Sequence, residues 1–455
     1  MRYLRVMVVV WLFLSCFAWV VPSVRAECRY KFTPSLSVDE KYDDNIFLRS
    51  TDETSDWTST ISPALSLDAQ CPTRGITLNY SPGFVFYKRY TEYNTVRHNG
   101  NLSAFLQAGP HTRIDFRDSF YRTEEPREQM EAMLVGWRGL VHRDEFGQPI
   151  VLRYEYDLPV FDVDIVPEIS YAIRRTRNTY YRNTGDIKVS HQFGPKDNFF
   201  VGYNDNHLEN SDPEIEDTRI QTPFAGVSYW FDVKNGLDLN VRHSISDYET
   251  NPDFKQYTGG ARLVHLFSQD SSISLAYNYT DMNYDPGGTD YVIHDGMVSY
   301  SISPGPHTTL SAGVGYFLRN PERGGTNDGL SYQASIGQKF ERGSVFVGGQ
   351  GGYRQELSDA ENLGFAKFWS ANGGINYLLL PELTASGGLS YVEEKFIEQA
   401  DRRDKLWSAT AGLAYSYRRW LSLSLSGQHT ERDSNVGLND YDDNQIMLRI
   451  TASYN

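Results

Sequence analysis

Tyr42-Asp43-Asp44-Asn45 stands near the start of the sequence and returns near its end as Tyr441-Asp442-Asp443-Asn444. Clustered carboxylates with amide and backbone oxygens are the hard ligands that calcium prefers. Asp43, Asp44, Asp442 and Asp443 are therefore a candidate calcium set, provided the fold brings the two copies together. The competing reading is a pair of solvated turns, since Asn and Asp have ordinary turn propensity. Other chemistry is hard to find. No G-x-S-x-G elbow, H-E-x-x-H helix, phosphate loop or Cys-x-x-Cys pair occurs, and the ten histidines show no metal-ligand spacing. No catalytic residue is assigned and an enzyme is not expected. A hydrolase assembled from separate strands is the weakest alternative.

The elements that must position these groups announce themselves by period-two alternation. Leu421, Leu423 and Leu425 alternate with Ser422, Ser424 and Ser426. Leu310, Ala312, Val314 and Tyr316 alternate with Thr309, Ser311, Gly313 and Gly315, and similar runs recur along the whole chain. Successive side chains of a strand point to opposite faces, so each run has one apolar and one polar face. About twenty such strands without an intervening helical pattern do not fit one sandwich core. They fit an all-β, antiparallel, up-and-down transmembrane barrel of about 20 strands (18–22), with lipid outside and a polar lumen. The connections agree. Short turns at Gln70–Arg74, Gly194–Asp197 or Glu341–Gly343 alternate with longer polar links such as Asp43–Thr54, Arg319–Asp328 and Arg432–Asp440. Barrels of the outer membrane have short periplasmic turns and longer external loops.

Residues 1–26 read as a signal peptide: Arg2 and Arg5, an apolar run from Val6 to Val21, then Val24-Arg25-Ala26 at the cleavage positions. A lipoprotein signal at Cys16 is the rival reading. Residues 27–455 form the barrel, interrupted at about 123–179 by an insertion placed outside the cell. Within it, Arg127–Leu134 reads as a helix start, and Ile150–Asp157 with Asp162–Ile173 as a hairpin. After residue 26 no stretch reaches about 18 apolar residues, so no transmembrane helix is expected. Mean hydropathy is -0.50, yet aromatics reach 14%, which suits aromatic girdles and excludes a disordered acidic chain. The net charge of -15 becomes -18 once the three arginines of the signal are gone. No basic face remains for nucleic acid.

Alternation also names residues that line the lumen: Arg113, Asp115, Arg117, Asp186, Lys188, Asp238, Arg242, Arg262, Lys339 and Arg449. Seven of these ten are basic, which would favour anionic solutes. The other reading is that they pair with inward acids and stiffen the wall. Cys28 precedes the first strand and Cys71 follows the second, both at the periplasmic rim of an oxidising compartment. A disulfide is the first reading there and two free thiols the second.

Tyr42-Asp43-Asp44-Asn45-Ile46-Phe47, Ser55-Asp56-Trp57, Ile61-Ser62-Pro63-Ala64-Leu65, Tyr181-Arg182-Asn183 and Phe193-Gly194-Pro195-Lys196-Asp197 resemble the putative β-barrel porin family of Gram-negative bacteria. The relatives in view are barrels that accompany exopolysaccharide or capsule export. The resemblance spans nearly the whole mature chain. It departs at the 123–179 insertion and at the final Asn455, where barrels usually end in an aromatic. It implies an outer-membrane porin-like channel for acidic polysaccharide or small solutes, with no catalytic residues to transfer. The alternative from another class is a plugged structural or docking barrel of a surface-glycan system. Expected partners are outer-membrane lipid and either polysaccharide or a periplasmic export component. No cofactor other than calcium is expected.

Overall fold

The computed structural model describes residues 28–126, 141–143, 149–151, 177–285, 288–356, 364–398 and 402–454. The expected signal peptide, helix start and Asp162–Ile173 strand lie outside them. The strands are β1 (Arg29–Asp43), β2 (Asp56–Cys71), β3 (Arg74–Tyr87), β4 (Thr95–Gln107), β5 (Thr112–Thr123), β6 (Val141–Arg143), β7 (Pro149–Val151) and β8 (Tyr180–Gln192). They continue with β9 (Asn198–Asn210), β10 (Thr218–Trp230), β11 (Asn235–Tyr248), β12 (Phe254–Ser268), β13 (Ser271–Tyr284), β14 (Tyr291–Gly305) and β15 (Thr308–Pro321). The last are β16 (Asn327–Phe340), β17 (Gly343–Glu356), β18 (Gly364–Leu380), β19 (Leu383–Phe396), β20 (Arg403–Arg418), β21 (Leu421–Ser434) and β22 (Tyr441–Ser453).

Twenty of these form one antiparallel sheet in which each strand pairs with its neighbour in sequence. β5 pairs with β8 across the insertion, whose short β6–β7 hairpin forms a separate two-stranded sheet. β1 pairs with β22, so the sheet closes on itself. Closure leaves no edge strand, which is the condition for a sheet to stand in hydrocarbon. The nine short turns, such as residues 72–73, 306–307 and 341–342, lie at one rim, and the longer links lie at the other.

Register sorts the side chains. Residues directly opposite in an antiparallel pair share a face. Val38, Ile61 and Ile450 stand on the outer face, where Leu425 lies opposite Leu448. Ser37, Ser62 and Thr451 line the inner face at the same height. Large apolar side chains are consequently exposed, as Val314, Leu425 and Leu448 are. Towards the rim of the longer links, outward rings gather into a girdle: Tyr42 with Trp57, His243 with Tyr257, Tyr277 with His294, and Trp369 with Tyr391. Such rings mark the level where hydrocarbon gives way to head groups.

The faces are testable. Leu448→Arg should destabilise vesicle-refolded protein by about 2–4 kcal/mol in guanidinium titration, because it presents a charge to mid-bilayer lipid. Ser299→Arg, on the inner face, should cost under about 1 kcal/mol. Equal losses would reject the assignment.

Candidate functional site

The repeated motif meets at the seam. The Asp44 backbone N–H donates to Asn444 O at 3.2 Å, and the Asn444 backbone N–H donates to Asp44 Oδ1 at 2.7 Å. Asn45 Nδ2 donates to Asp442 O at 2.7 Å and Gln445 Nε2 to Asp43 Oδ2 at 2.7 Å. Carboxylate oxygens of Asp43, Asp44 and Asp443 lie within 4.8 Å of one another. Asp442 does not join them. It stands opposite Glu431 on the outer face, in a separate group with Glu431 and His429. The reason is the alternation itself, since consecutive strand residues cannot share a face. The candidate calcium set therefore holds three of its four carboxylates. Basic groups already sit beside it: Lys41 Nζ lies 3.6 Å and Arg177 3.9 Å from Asp43 Oδ2.

At the other rim, Cys28 and Cys71 are joined by a disulfide, their Cα atoms 4.3 Å apart. It ties the start of β1 to the end of β2 next to the first turn.

A charged cluster hangs from the insertion's two roots. Glu124 and Glu125 follow β5, and Arg177 precedes β8. Tyr87 OH donates to Glu124 at 2.7 Å, Arg97 binds both glutamates, and Lys41 Nζ lies 2.9 Å from Glu125 Oε1. Arg177 is buried and donates to Ile46 O at 2.9 Å and to Tyr87 OH. Burial opposes the ionisation of Glu125, but Lys41, Arg97 and Arg177 outweigh it and hold the carboxyl well below the usual range.

A second inward structure narrows the same end. Above Gly351, β17 stops pairing with β16 but keeps β18. Both faces of that pair are buried. On one, Tyr353 and Phe365 meet Phe317, and Gln355 donates to Tyr291 OH at 2.6 Å. On the other, Arg354 binds Glu394, and Ala366 packs on Phe396. Gln256 of β12 donates to Gln355 of β17 at 2.7 Å, although five strand spacings of about 4.8 Å separate those strands along the wall. The outer end of the β17–β18 pair therefore folds into the barrel. The alternation rule did not foresee it; the Gly351-Gly352 pair was the available signal, and Gly352 takes a φ of 155°.

All ten lumen candidates occupy the inner face by register. Arg113 binds Asp115 at 2.8 Å, Arg262 binds Asp238 at 2.8 Å, and Arg449 binds Asp39 at 2.6 Å. Arg117 lies opposite Asp186 and Lys188 opposite Asp115, with Lys188 Nζ 4.9 Å from the Phe200 ring centre. Arg242 lies between Phe224 and Thr258, and Lys339 stands beside the periplasmic turn. Phe224 lies across Gly202, and Phe200 across Gly226 on the paired strand. Further acids face inward that the ten did not include, among them Asp39, Asp56, Asp68, Asp295, Glu394 and Asp404. The seven-to-three ratio thus describes the chosen ten and not the whole wall.

Two measurements follow. Because Lys41, Arg177 and Asn444 already face the seam carboxylates, chelation with EDTA should leave the barrel's melting temperature unchanged. A fall that Asp44→Asn abolishes would instead establish a structural cation. A carboxyl held low stabilises above its ordinary value and loses that contribution as pH falls. Melting temperature should therefore drop below pH 4.5, and Glu125→Gln should lower the neutral-pH value while flattening the acid limb. An unaltered acid limb would remove Glu125 from the account.

Residues 312–454 match the family model described as Putative beta-barrel porin 2. No curated protein matches the chain. Among solved structures, OpdK of Pseudomonas aeruginosa with vanillate is 13% identical at a TM-score of 0.41, over 93% of this chain and 99% of that one. OccK3 (OpdO) of the same organism is 14% identical at 0.43, over 93% and 96%. A BenF-like porin from Pseudomonas fluorescens Pf-5 is 12% identical at 0.43, over 93% and 99%. The closed ring with its apolar exterior and polar interior is a membrane-spanning β-barrel, and its closing strands, residues 312–454, match Putative beta-barrel porin 2.

Proposed function

We propose that the barrel is a channel for small polar solutes, weakly selective for anions. The observation that carries this is the partition of faces around a closed ring of 20 strands. Barrels of 16–18 strands already leave an aqueous channel, so a 20-stranded wall lined with Ser, Thr, Asn and charged residues supports one. The two inward clusters at the outer end favour small solutes over a wide polymer. The likeness of the opening motifs to barrels that accompany polysaccharide export makes short acidic sugars the first solutes to try. It also makes a periplasmic export component the first partner to seek. Anion preference follows from Arg242, which has no acid opposite it in register, because paired charges on the wall largely cancel at a distance.

A docking barrel is the second reading, favoured by the inward fold of β17–β18 and the cluster at Glu124, Glu125 and Arg177. Planar-bilayer recording separates the two. The channel reading expects steady conductance and, across a potassium chloride gradient, a reversal potential shifted towards chloride. Absence of current supports the docking barrel. A cation-selective reversal potential rejects the anion preference and leaves the channel.

A further inference from the structure

Arg242 differs from four other cations of the inner wall. Arg262 faces Asp238 in register, Arg449 faces Asp39, Lys188 faces Asp115, and Arg117 faces Asp186. The residues opposite Arg242 are Phe224 on β10 and Thr258 on β12, neither of them charged. Its own strand places Asn240 and Ser244 on the same face, and the flanking positions are Thr222, Gly226, Gln256 and Gly260. Uncharged residues thus surround a half-buried guanidinium. Among the described residues no carboxylate forms an ion pair with it.

A guanidinium has five N–H donors and no acceptor, and its planar fork matches the oxygens of a carboxylate or phosphate. Holding one partly out of water without a counter-charge is costly, whereas a pair restores much of that cost. The wall around it offers more groups for an oxyanion: the Asn240 amide, and the hydroxyls of Thr258 and Ser244. Ser244 is steadied by its 2.9 Å bond to Thr222. Phe224, the residue opposite on β10, turns its ring across Gly202 of β9 and so brings no charge to the arginine.

We propose that Arg242 is an oxyanion-binding station midway along β11, taking the carboxylate or phosphate group of a small solute as it passes. The proposal rests on the channel reading for its biological use but not for its chemistry, so the two can fail separately.

Inorganic phosphate is the probe, and the refolded full-length barrel is the sample. Calorimetric titration should detect phosphate binding that Arg242→Gln weakens at least about tenfold, the loss expected for one charge-assisted bidentate contact. Arg242→Lys should fall between, since it keeps the charge and loses the fork. Lys255→Gln, one strand away on the outer face, should bind as wild type does. Phosphate should raise the melting temperature of wild type and not of Arg242→Gln. In phosphate-free buffer Arg242→Gln should be no less stable than wild type, because removing an uncompensated charge costs nothing. A structural arginine would behave oppositely. Equal phosphate affinity in wild type and Arg242→Gln, or no binding by wild type, overturns the station. If wild type binds phosphate through Arg242 yet passes no current, the station stands and the channel reading falls.

Discussion

Hydrocarbon offers no partner to a peptide N–H or C=O, and each one left unpaired costs several kcal/mol. That constraint governs the rest of the molecule. It requires the first and last strands to meet, and the meeting of β1 with β22 fixes their register from Ser35–Ser453 to Asp43–Gln445. Register in turn fixes which side chains face lipid and which face the lumen. It also brings residues four hundred positions apart into contact, as Asp44 and Asn444 show. The charge pattern of the wall, the seam carboxylates and the place of Arg242 all follow from it.

The ring was legible because its signals are local. Alternation at Leu310–Tyr316 or Leu421–Ser426 needs only neighbouring residues, and turns such as Glu341-Arg342 need only the residues that form them. What escaped depended on distant contacts. β1 carries Glu40 on its outer face between Val38 and Tyr42, which blurs the alternation and hid inward Asp39, the partner of Arg449. Asp442 and Asp443 look equivalent in a repeated motif, and only the strand pairing sends one outward and the other to the seam. The inward turn of β17 has even less local trace, since it is set by Tyr353, Gln355 and Phe365 finding Phe317 and Tyr291. The buried contacts of Arg177 join it to Ile46 and Tyr87, which no short window contains.

The two ends of the barrel are built on different principles. The end with short turns is economical: nine brief connections and a disulfide between neighbouring strands. The other end spends aromatic and charged side chains on packing into the mouth. From one side stands the cluster of Lys41, Tyr87, Arg97, Glu124, Glu125 and Arg177. From the other comes the β17–β18 pair, with Arg319 lying 3.9 Å from the Tyr291 ring centre. Discrimination by size would therefore act at the rim of the long links, while the evenly lined wall below would act on charge.

Phe200 and Phe224 each lie over a glycine of the other's strand, and this reciprocity reaches beyond packing. A side chain added at Gly202 would strike Phe224, and one added at Gly226 would strike Phe200. Shrinking either ring would leave a gap above bare backbone. The four positions are therefore bound to change together or not at all, and across related barrels they should vary as one inherited unit, two rings with two glycines or neither.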